Sequence, residues 1–368
     1  MRIVLIGDGE SAHLLKWARA LAQVQGVQLW AASSRGFCAE FDAWVNPQQR
    51  LALGTHAAYE GGNVSVLLAL PRLGAWLRHV DADWLHAHYL TSHGTLAWLA
   101  KRIWRLRGGL VGSAWGSDVL ITPRRNAVYR GLTKRVLRAC RLTTSDSAHM
   151  ARQMRELGAA EVMTFPFGLD ALPAPGAAKQ PWLFFANRGL EPLYQPLRVM
   201  QVFAQVAQER PEARLVVANQ GSLQDSLRQA AREMGLRVGT LQHDEQVEFT
   251  GVLDADAQAR WYAKAQWYLS LPRSDSVSVS VLEAMAHGCI PLLSDLPANR
   301  ELVCDGENGV IVPASQAAAP LAMLDALLGN AVQVARANRD WVATHALFPP
   351  AVARFVARLR ELGSVGSS

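Results

Sequence analysis

At 368 residues the chain exceeds what one ordinary core absorbs, so two domains are expected. Half of the residues are hydrophobic and 18% are charged, which excludes a disordered chain, and no apolar run reaches the roughly 18 residues of a membrane span. The formal net charge of +6 excludes an acidic protein but is unevenly held: residues 1–170 carry 20 Lys and Arg against 12 Asp and Glu, and the remainder 17 against 19.

The opening MRIVLIGDG reads as a strand entering a glycine turn and lacks the regions of a signal peptide. Residues 2–6 (RIVLI), 27–32 (VQLWAA), 64–70 (VSVLLAL), 84–88 (WLHAH), 109–115 (GLVGSAW), 141–145 (RLTTS) and 162–167 (VMTFPF) read as strands, with helical periodicity between most of them. This alternation is the signature of a parallel sheet covered on both faces. The Ala-, Pro- and Gly-rich stretch DALPAPGAAKQP (170–181) interrupts it. It then restarts with 182–186, 213–218, 246–251, 266–271, 290–294 and 309–313. The expected architecture is α/β: a Rossmann-like domain over 1–170, a linker over 171–181 and a second Rossmann-like domain over 182–345, facing across a cleft. Residues 346–368 follow as a helix with Val352, Phe355, Val356 and Leu359 on one face, long enough to pack back on the first domain. Four scattered cysteines (Cys38, Cys140, Cys289, Cys304) have no metal spacing; free buried thiols in the reducing cytoplasm are the expectation.

Between 101 and 141 there are 11 basic residues and one acid, Asp118, mixed with tryptophan and leucine. No nucleic-acid-binding motif accompanies this charge, so nucleic acid is not an expected partner. An anionic membrane surface, with Trp104 and Leu106 dipping into the interface, is one reading; an arginine-rich solvated face is the other, and both stay open.

Two stretches bear on chemistry. GDGESA (7–12) after the first strand fits a dinucleotide fingerprint, and Ser33 and Arg35 at the end of the second strand suit the 2′-phosphate of NADP. That makes an NADP oxidoreductase a rival reading, which leaves the second α/β half without a role. SDSVSVSVLEAMAHG (274–288) alternates Ser and Val like a half-buried strand and then turns helical around Glu283. Its serines cap a helix in the structural reading; in the functional one, the unpaired amides of the helix start meet a phosphate or sugar hydroxyl.

PRSDSVSVSVLEAMAHGCIPLLSDLPANRELV, VMTFPFGLD, FFANRGLEPLY, DWLHAHY and GSAWGSD together resemble family 4 glycosyltransferases, retaining enzymes of the GT-B fold that use a nucleotide-sugar donor. The likeness extends over nearly the whole chain and is most specific in the first of these motifs. It implies that Glu283 accepts hydrogen bonds from the ribose hydroxyls, that Asp275 contacts the donor sugar, and that Ser276, Val277 and Ser278 line the sugar and phosphate. Arg188 is implied as the diphosphate partner, since a guanidinium binds phosphate oxygens bidentately. Gly9 and Glu10 are assigned to the donor side as well. Leu193 stands where the family commonly has lysine, so Arg273 or helix amides are expected to compensate. Trp115 stands where many relatives have histidine, which leaves His88 and Asp118 as catalytic candidates in the first domain, Asp118 with a structural role as its alternative. His86 and His88 are read as pointing to opposite faces of their strand, so that only one sees the cleft; His88, nearer the tip, is preferred. DADW (81–84) and LDADAQ (253–258) resemble metal-binding motifs but do not sit at strand C-terminal ends; no metal and no cofactor are expected.

The resemblance thus implies a metal-independent hexosyltransferase acting on a cell-envelope glycan or glycolipid precursor, such as a lipopolysaccharide or O-antigen intermediate. It is expected in the cytoplasm, with peripheral attachment to the inner face of the plasma membrane through 101–141. A non-catalytic sugar- or nucleotide-binding protein is the alternative from another class, against which the intact Asp275, Glu283 and Arg188 argue.

Overall fold

The computed structural model describes residues 1–55, 67–174, 176, 178–242, 244–315 and 320–364. The chain divides into two compact units, one of Met1–Phe165 with Phe348–Ser368, the other of Pro166–Leu347. The expected boundaries at 170 and 345 therefore sit a few residues from the observed crossings.

The first unit holds seven parallel strands: β1 (Arg2–Gly9), β2 (Gln28–Phe37), β3 (Arg50–Ala52), β4 (Trp84–His88), β5 (Gly109–Ser113), β6 (Leu142–Ser145) and β7 (Val162–Thr164), in the order β3-β2-β1-β4-β5-β6-β7. The second holds six: β8 (Gln180–Ala186), β9 (Arg214–Ala218), β10 (Val247–Gly251), β11 (Ala265–Ser270), β12 (Ile290–Ser294) and β13 (Val310–Val312), in the order β10-β9-β8-β11-β12-β13. In both sheets the order reverses beside the first strand, which opens a crevice at the C-terminal strand ends.

The second sheet shows why its strands read as continuous apolar runs. Phe184, Leu215, Trp267 and Leu292 enter one core with the helix Pro196–Glu209. Their chain neighbours Phe185, Val216, Tyr268 and Leu293 enter a second core with the helix Val279–Ala286. Successive residues alternate faces and both faces are covered, so both residues of each pair are large and mainly apolar, with the polar tips of Trp267 and Tyr268 hydrogen-bonded.

In the first unit the helix Phe348–Ser364 buries Phe348, Val352, Phe355, Val356 and Leu359. Phe348 and Phe355 meet the fully buried Trp17 edge-on, each at 5.1 Å between ring centroids. Arg358 forks onto both carboxylate oxygens of Glu161 at 2.7 and 2.9 Å.

One expected strand is not found. Residues 64–66 of the expected strand 64–70 lie outside the described residues, and 67–70 lead into the helix Leu70–Val80. A short apolar run does not by itself distinguish strand from helix. Trp104 and Leu106 are half-buried: Trp104 packs on Gly74, where an added Cβ would lie 2.3 Å from the indole, and Leu106 packs against the core. Lys101 is likewise engaged, donating to the carbonyls of Leu106, Arg107 and Gly108 beyond its helix end. The large apolar side chains exposed within 101–141 are Ile103 and Val128, 56% and 70% accessible. Among the described residues no helix is long and apolar enough to cross a membrane. Cys140 and Cys289 are buried as expected of free thiols, whereas Cys304 is exposed.

Candidate functional site

In the second unit, β8 and β11 are paired neighbours, and the chain leaving each reaches one place. Beyond β11, residues 271–278 form an irregular loop, not the strand that their Ser-Val alternation suggests. Nor does burial alternate, since Ser276, Val277 and Ser278 are all inside. Ser278 is the N-cap residue of Val279–Ala286 by backbone geometry, but its hydroxyl caps no helix amide. It accepts instead from Arg188 Nη1.

Arg188 follows the C-terminal end of β8 and divides its fork. Nη1 goes to Ser278, Nη2 goes to Asp275 Oδ2 at 2.7 Å, and the guanidinium lies 4.5 Å from the centre of the Tyr194 ring. Burial pushes the Asp275 carboxyl above its ordinary range, opposed by the guanidinium and by the Ser276 amide donating to Oδ1 at 3.0 Å. Burial also weighs against the Arg188 charge, but Asp275 and the surrounding tyrosines outweigh it and its pKa ends above the ordinary value. The two side chains pair at 2.7 Å, partly desolvated and presented beside the first turn of a helix.

Glu283 accepts from the Tyr262 hydroxyl at 3.1 Å. Behind it runs a chain of donors: Tyr268 donates to Asn187 Oδ1 at 2.7 Å, and Asn187 Nδ2 donates to the Tyr262 hydroxyl and to Gln258 Oε1, each at 2.7 Å. Burial raises both phenols, so they stay protonated and serve as donors. Sequence reasoning missed Asn187, Gln258, Tyr262 and Tyr268. Only Asn187 had a linear signal, its place beside Arg188; the others lie on a separate helix and strand. Arg273 is exposed, and its amide donates to the Leu193 carbonyl at 2.9 Å, which sets the loop that follows β11 against the Tyr194 turn.

The remaining candidates belong to the first unit. Gly9 ends β1, and an added Cβ there would lie 2.4 Å from the Phe37 ring; one on Gly7 would lie 2.7 Å from Leu14. Strand packing thus accounts for these glycines. Ser33 is buried and accepts the amides of Gly9 and Arg35, while Arg35 lies 4.0 Å from Asp8 and 3.6 Å from Glu10. A 2′-phosphate would meet two carboxylates there, which counts against the NADP reading. Asp254 caps its helix by accepting the Ala257 amide, and Asp83 accepts the Arg2 amide at the N-terminal end of β4.

His86 and His88 do not face opposite ways. Residues two apart on a strand share a face, and their rings stand 4.5 Å apart, both against Trp17. Both are buried; desolvation holds His86 neutral, down to about 3, and lowers His88 well below the usual histidine range. His88 Nδ1 accepts from Trp115 Nε1 at 3.2 Å. Asp118 is buried as well, with one oxygen on the Leu90 amide (2.8 Å) and the other on the Trp115 amide (2.9 Å). Burial raises its carboxyl to about 6 against those two bonds. Its observed work is to tie the end of β4 to the end of β5.

Residues 182–330 match the model of the family described as Glycosyl transferases group 1, and residues 2–147 that of Glycosyl transferase 4-like. The phosphatidyl-myo-inositol mannosyltransferase of Mycobacterium tuberculosis is 28% identical over 272 residues, covering 70% of this chain and 67% of that protein. Among solved structures, Anabaena HepE in complex with UDP and glucose superposes with a TM-score of 0.76 at 13% identity, over 98% of this chain and 99% of that one. The lipopolysaccharide outer core galactosyltransferase WaaB gives 0.65 at 12%, over 97% and 100%. At these identities the structural likenesses show the fold, which is the two-domain Rossmann-like GT-B fold.

Proposed function

The chain belongs to the group 1, family 4-like glycosyltransferases, enzymes that use nucleotide-sugar donors, and on that premise we propose that it moves a hexose-type sugar, with retention and without a metal ion, to a lipid-linked acceptor of the cell envelope. The observation that carries the reading is the Arg188 guanidinium shared between Asp275 and Ser278 at the adjoining ends of β8 and β11. Breaking the anomeric C–O bond leaves charge on the departing diphosphate, and a preorganised cation beside a helix start answers that charge. In this reading Arg188 takes the phosphate, Asp275 the donor sugar and Glu283 the ribose diol. Ser276, Ser278 and the nearby amides complete the surround, and Arg273 adds charge where Leu193 supplies none. The glycolipid acceptor is supported by the name of the mycobacterial relative and by that of WaaB.

Thermal unfolding with UDP, GDP and NADP tests the donor half. A nucleotide at a hundred times its Kd should stabilise the protein by about 2.7 kcal/mol. Stabilisation by UDP or GDP is the expected result; a shift with NADP alone would hand the site to hydride chemistry.

Membrane attachment through 101–141 is proposed with the lipid-linked acceptor. Each Lys or Arg near an anionic surface contributes about 1 kcal/mol, and exposed Ile103 and Val128 are the apolar side chains placed to enter the interface. Flotation should show binding to anionic vesicles that weakens as salt rises, because screening acts within about 8–10 Å. Equal recovery with neutral and anionic vesicles would make the basic face a solvated one.

A further inference from the structure

The hydrogen bonds behind Glu283 have a direction, and a group that can only accept sets it. Gln258 Nε2 donates to the Leu253 carbonyl at 3.2 Å, so Gln258 Oε1 is the end that faces Asn187. An oxygen there requires a donor opposite, which turns the Asn187 amino group toward Gln258, at 2.7 Å. The same amino group reaches the Tyr262 oxygen at 2.7 Å, and Asn187 Oδ1 accepts from the Tyr268 hydroxyl, also at 2.7 Å. With its oxygen already receiving, Tyr262 has its own hydrogen to give, and Glu283 Oε2 lies 3.1 Å away to take it. The Leu253 carbonyl thus fixes, through Gln258 and Asn187, where the Tyr262 hydrogen goes.

The parts come from separate elements and are held firmly. Asn187 follows β8, Tyr268 lies in β11, and Gln258 and Tyr262 stand one turn apart on the helix Ala255–Lys264. Asn187, Tyr262 and Tyr268 are all buried. The Tyr262 ring meets Phe185 edge-on at 5.0 Å and stacks on His287 at 5.6 Å and 15°. Ser280, in the first turn of the Glu283 helix, adds a hydrogen bond to each phenol. A network that served the core alone could close on itself; this one ends on a half-buried carboxylate. A carboxylate that turns about its last bond meets a vicinal diol in many orientations, and one held by a donor from behind meets it in few.

We propose that Tyr262 and Asn187 are positioning residues: they hold the Glu283 carboxylate in the orientation a ribose diol requires, and so set the preference of the site for a ribonucleotide over its 2′-deoxy counterpart. The proposal rests on the transferase reading, in which Glu283 takes the diol, and deepens it by placing the source of that selectivity one layer behind the donor. Asn187 precedes Arg188, so one turn supplies both the diphosphate partner and the support of the ribose partner.

Titration calorimetry on the full chain tests this with UDP, 2′-deoxy-UDP, GDP and 2′-deoxy-GDP. The ribonucleotide that binds should do so about thirtyfold more tightly than its deoxy counterpart, the worth of one hydrogen bond to a charged group. Tyr262→Phe should lower that ratio at least about threefold. Asn187→Asp, which keeps the shape but puts an acceptor in place of the amino group, should do the same. A network that only braces the core would weaken both nucleotides equally and leave the ratio unmoved. Adding Tyr262→Phe to Glu283→Ala should change neither affinity further, because the phenol acts through the carboxylate. Thermal unfolding without nucleotide shows that each variant is folded. An unchanged ratio in folded Tyr262→Phe, or a further loss in the double variant, overturns the positioning role while the ribose role of Glu283 stands. A wild type without preference, or a preference that survives Glu283→Ala, removes Glu283 from the diol and takes the proposal with it. Binding of neither UDP nor GDP overturns the donor reading itself.

Discussion

Replacing Arg188 with alanine is expected to lower turnover by about 10²–10³-fold, with a smaller change in apparent donor affinity. A fixed donor aimed at charge that develops in the transition state is worth about that much, and binding common to ground and transition states would appear in KM instead. The structure adds a reason to expect incomplete rescue by lysine. The guanidinium serves Ser278 and Asp275 through separate nitrogens and lies over Tyr194, whereas an ammonium is a point charge without the planar fork. Removing the arginine also deprives the Asp275 carboxyl of the cation opposing its burial, so that carboxyl should shift further upward in the variant. Steady-state and single-turnover kinetics on Arg188→Ala and Arg188→Lys decide the matter. A raised donor KM with turnover intact would show that Arg188 only holds substrate.

Glu283→Ala is expected to weaken nucleotide binding by about 2–4 kcal/mol, the worth of two charge-assisted hydrogen bonds to a diol. The fold should survive, because Glu283 is only half-buried and Tyr262 keeps its bond from Asn187. Glu283→Gln retains an acceptor for the Tyr262 hydroxyl and should recover part of the loss. Titration calorimetry with the stabilising nucleotide gives the answer, and unchanged affinity in Glu283→Ala would remove the carboxylate from the ribose.

The family pattern implies separate donor roles for Arg188, Asp275 and Ser278, and the structure adds their contact with one another. Many strands are legible for a physical reason: a strand covered on both faces is largely apolar, as in β8, although polar residues such as Gln266 and Ser270 in β11 are buried too. β3 is not, since three residues, Arg50–Ala52, carry no periodicity. The Ser-Val alternation after β11 does not make a strand: Ser276, Val277 and Ser278 are all buried in a loop, and from Val279 the alternating residues are helical. His86 and His88, two apart on β4, share a face and pack together on Trp17, so alternation does not tell them apart. The tyrosines behind Glu283 were invisible because a hydrogen-bond chain through Asn187, Tyr262 and Tyr268 joins residues up to 81 positions apart, and nothing local marks either end.

The helix Phe348–Ser364 has a consequence for how the protein is made. Synthesis runs from the N-terminus, and domains commonly fold in that order as they emerge. Here the first unit's residues emerge first, yet the aromatic side chains that close over Trp17 arrive last, after the whole of Pro166–Leu347. The second unit is one uninterrupted segment and is ready to collapse while the first still lacks Phe348, Phe355 and Leu359, each worth about 1.5–3 kcal/mol when buried. The ribosome therefore releases the second unit's core before it releases the means to finish the first, so the part made earliest is the part completed last.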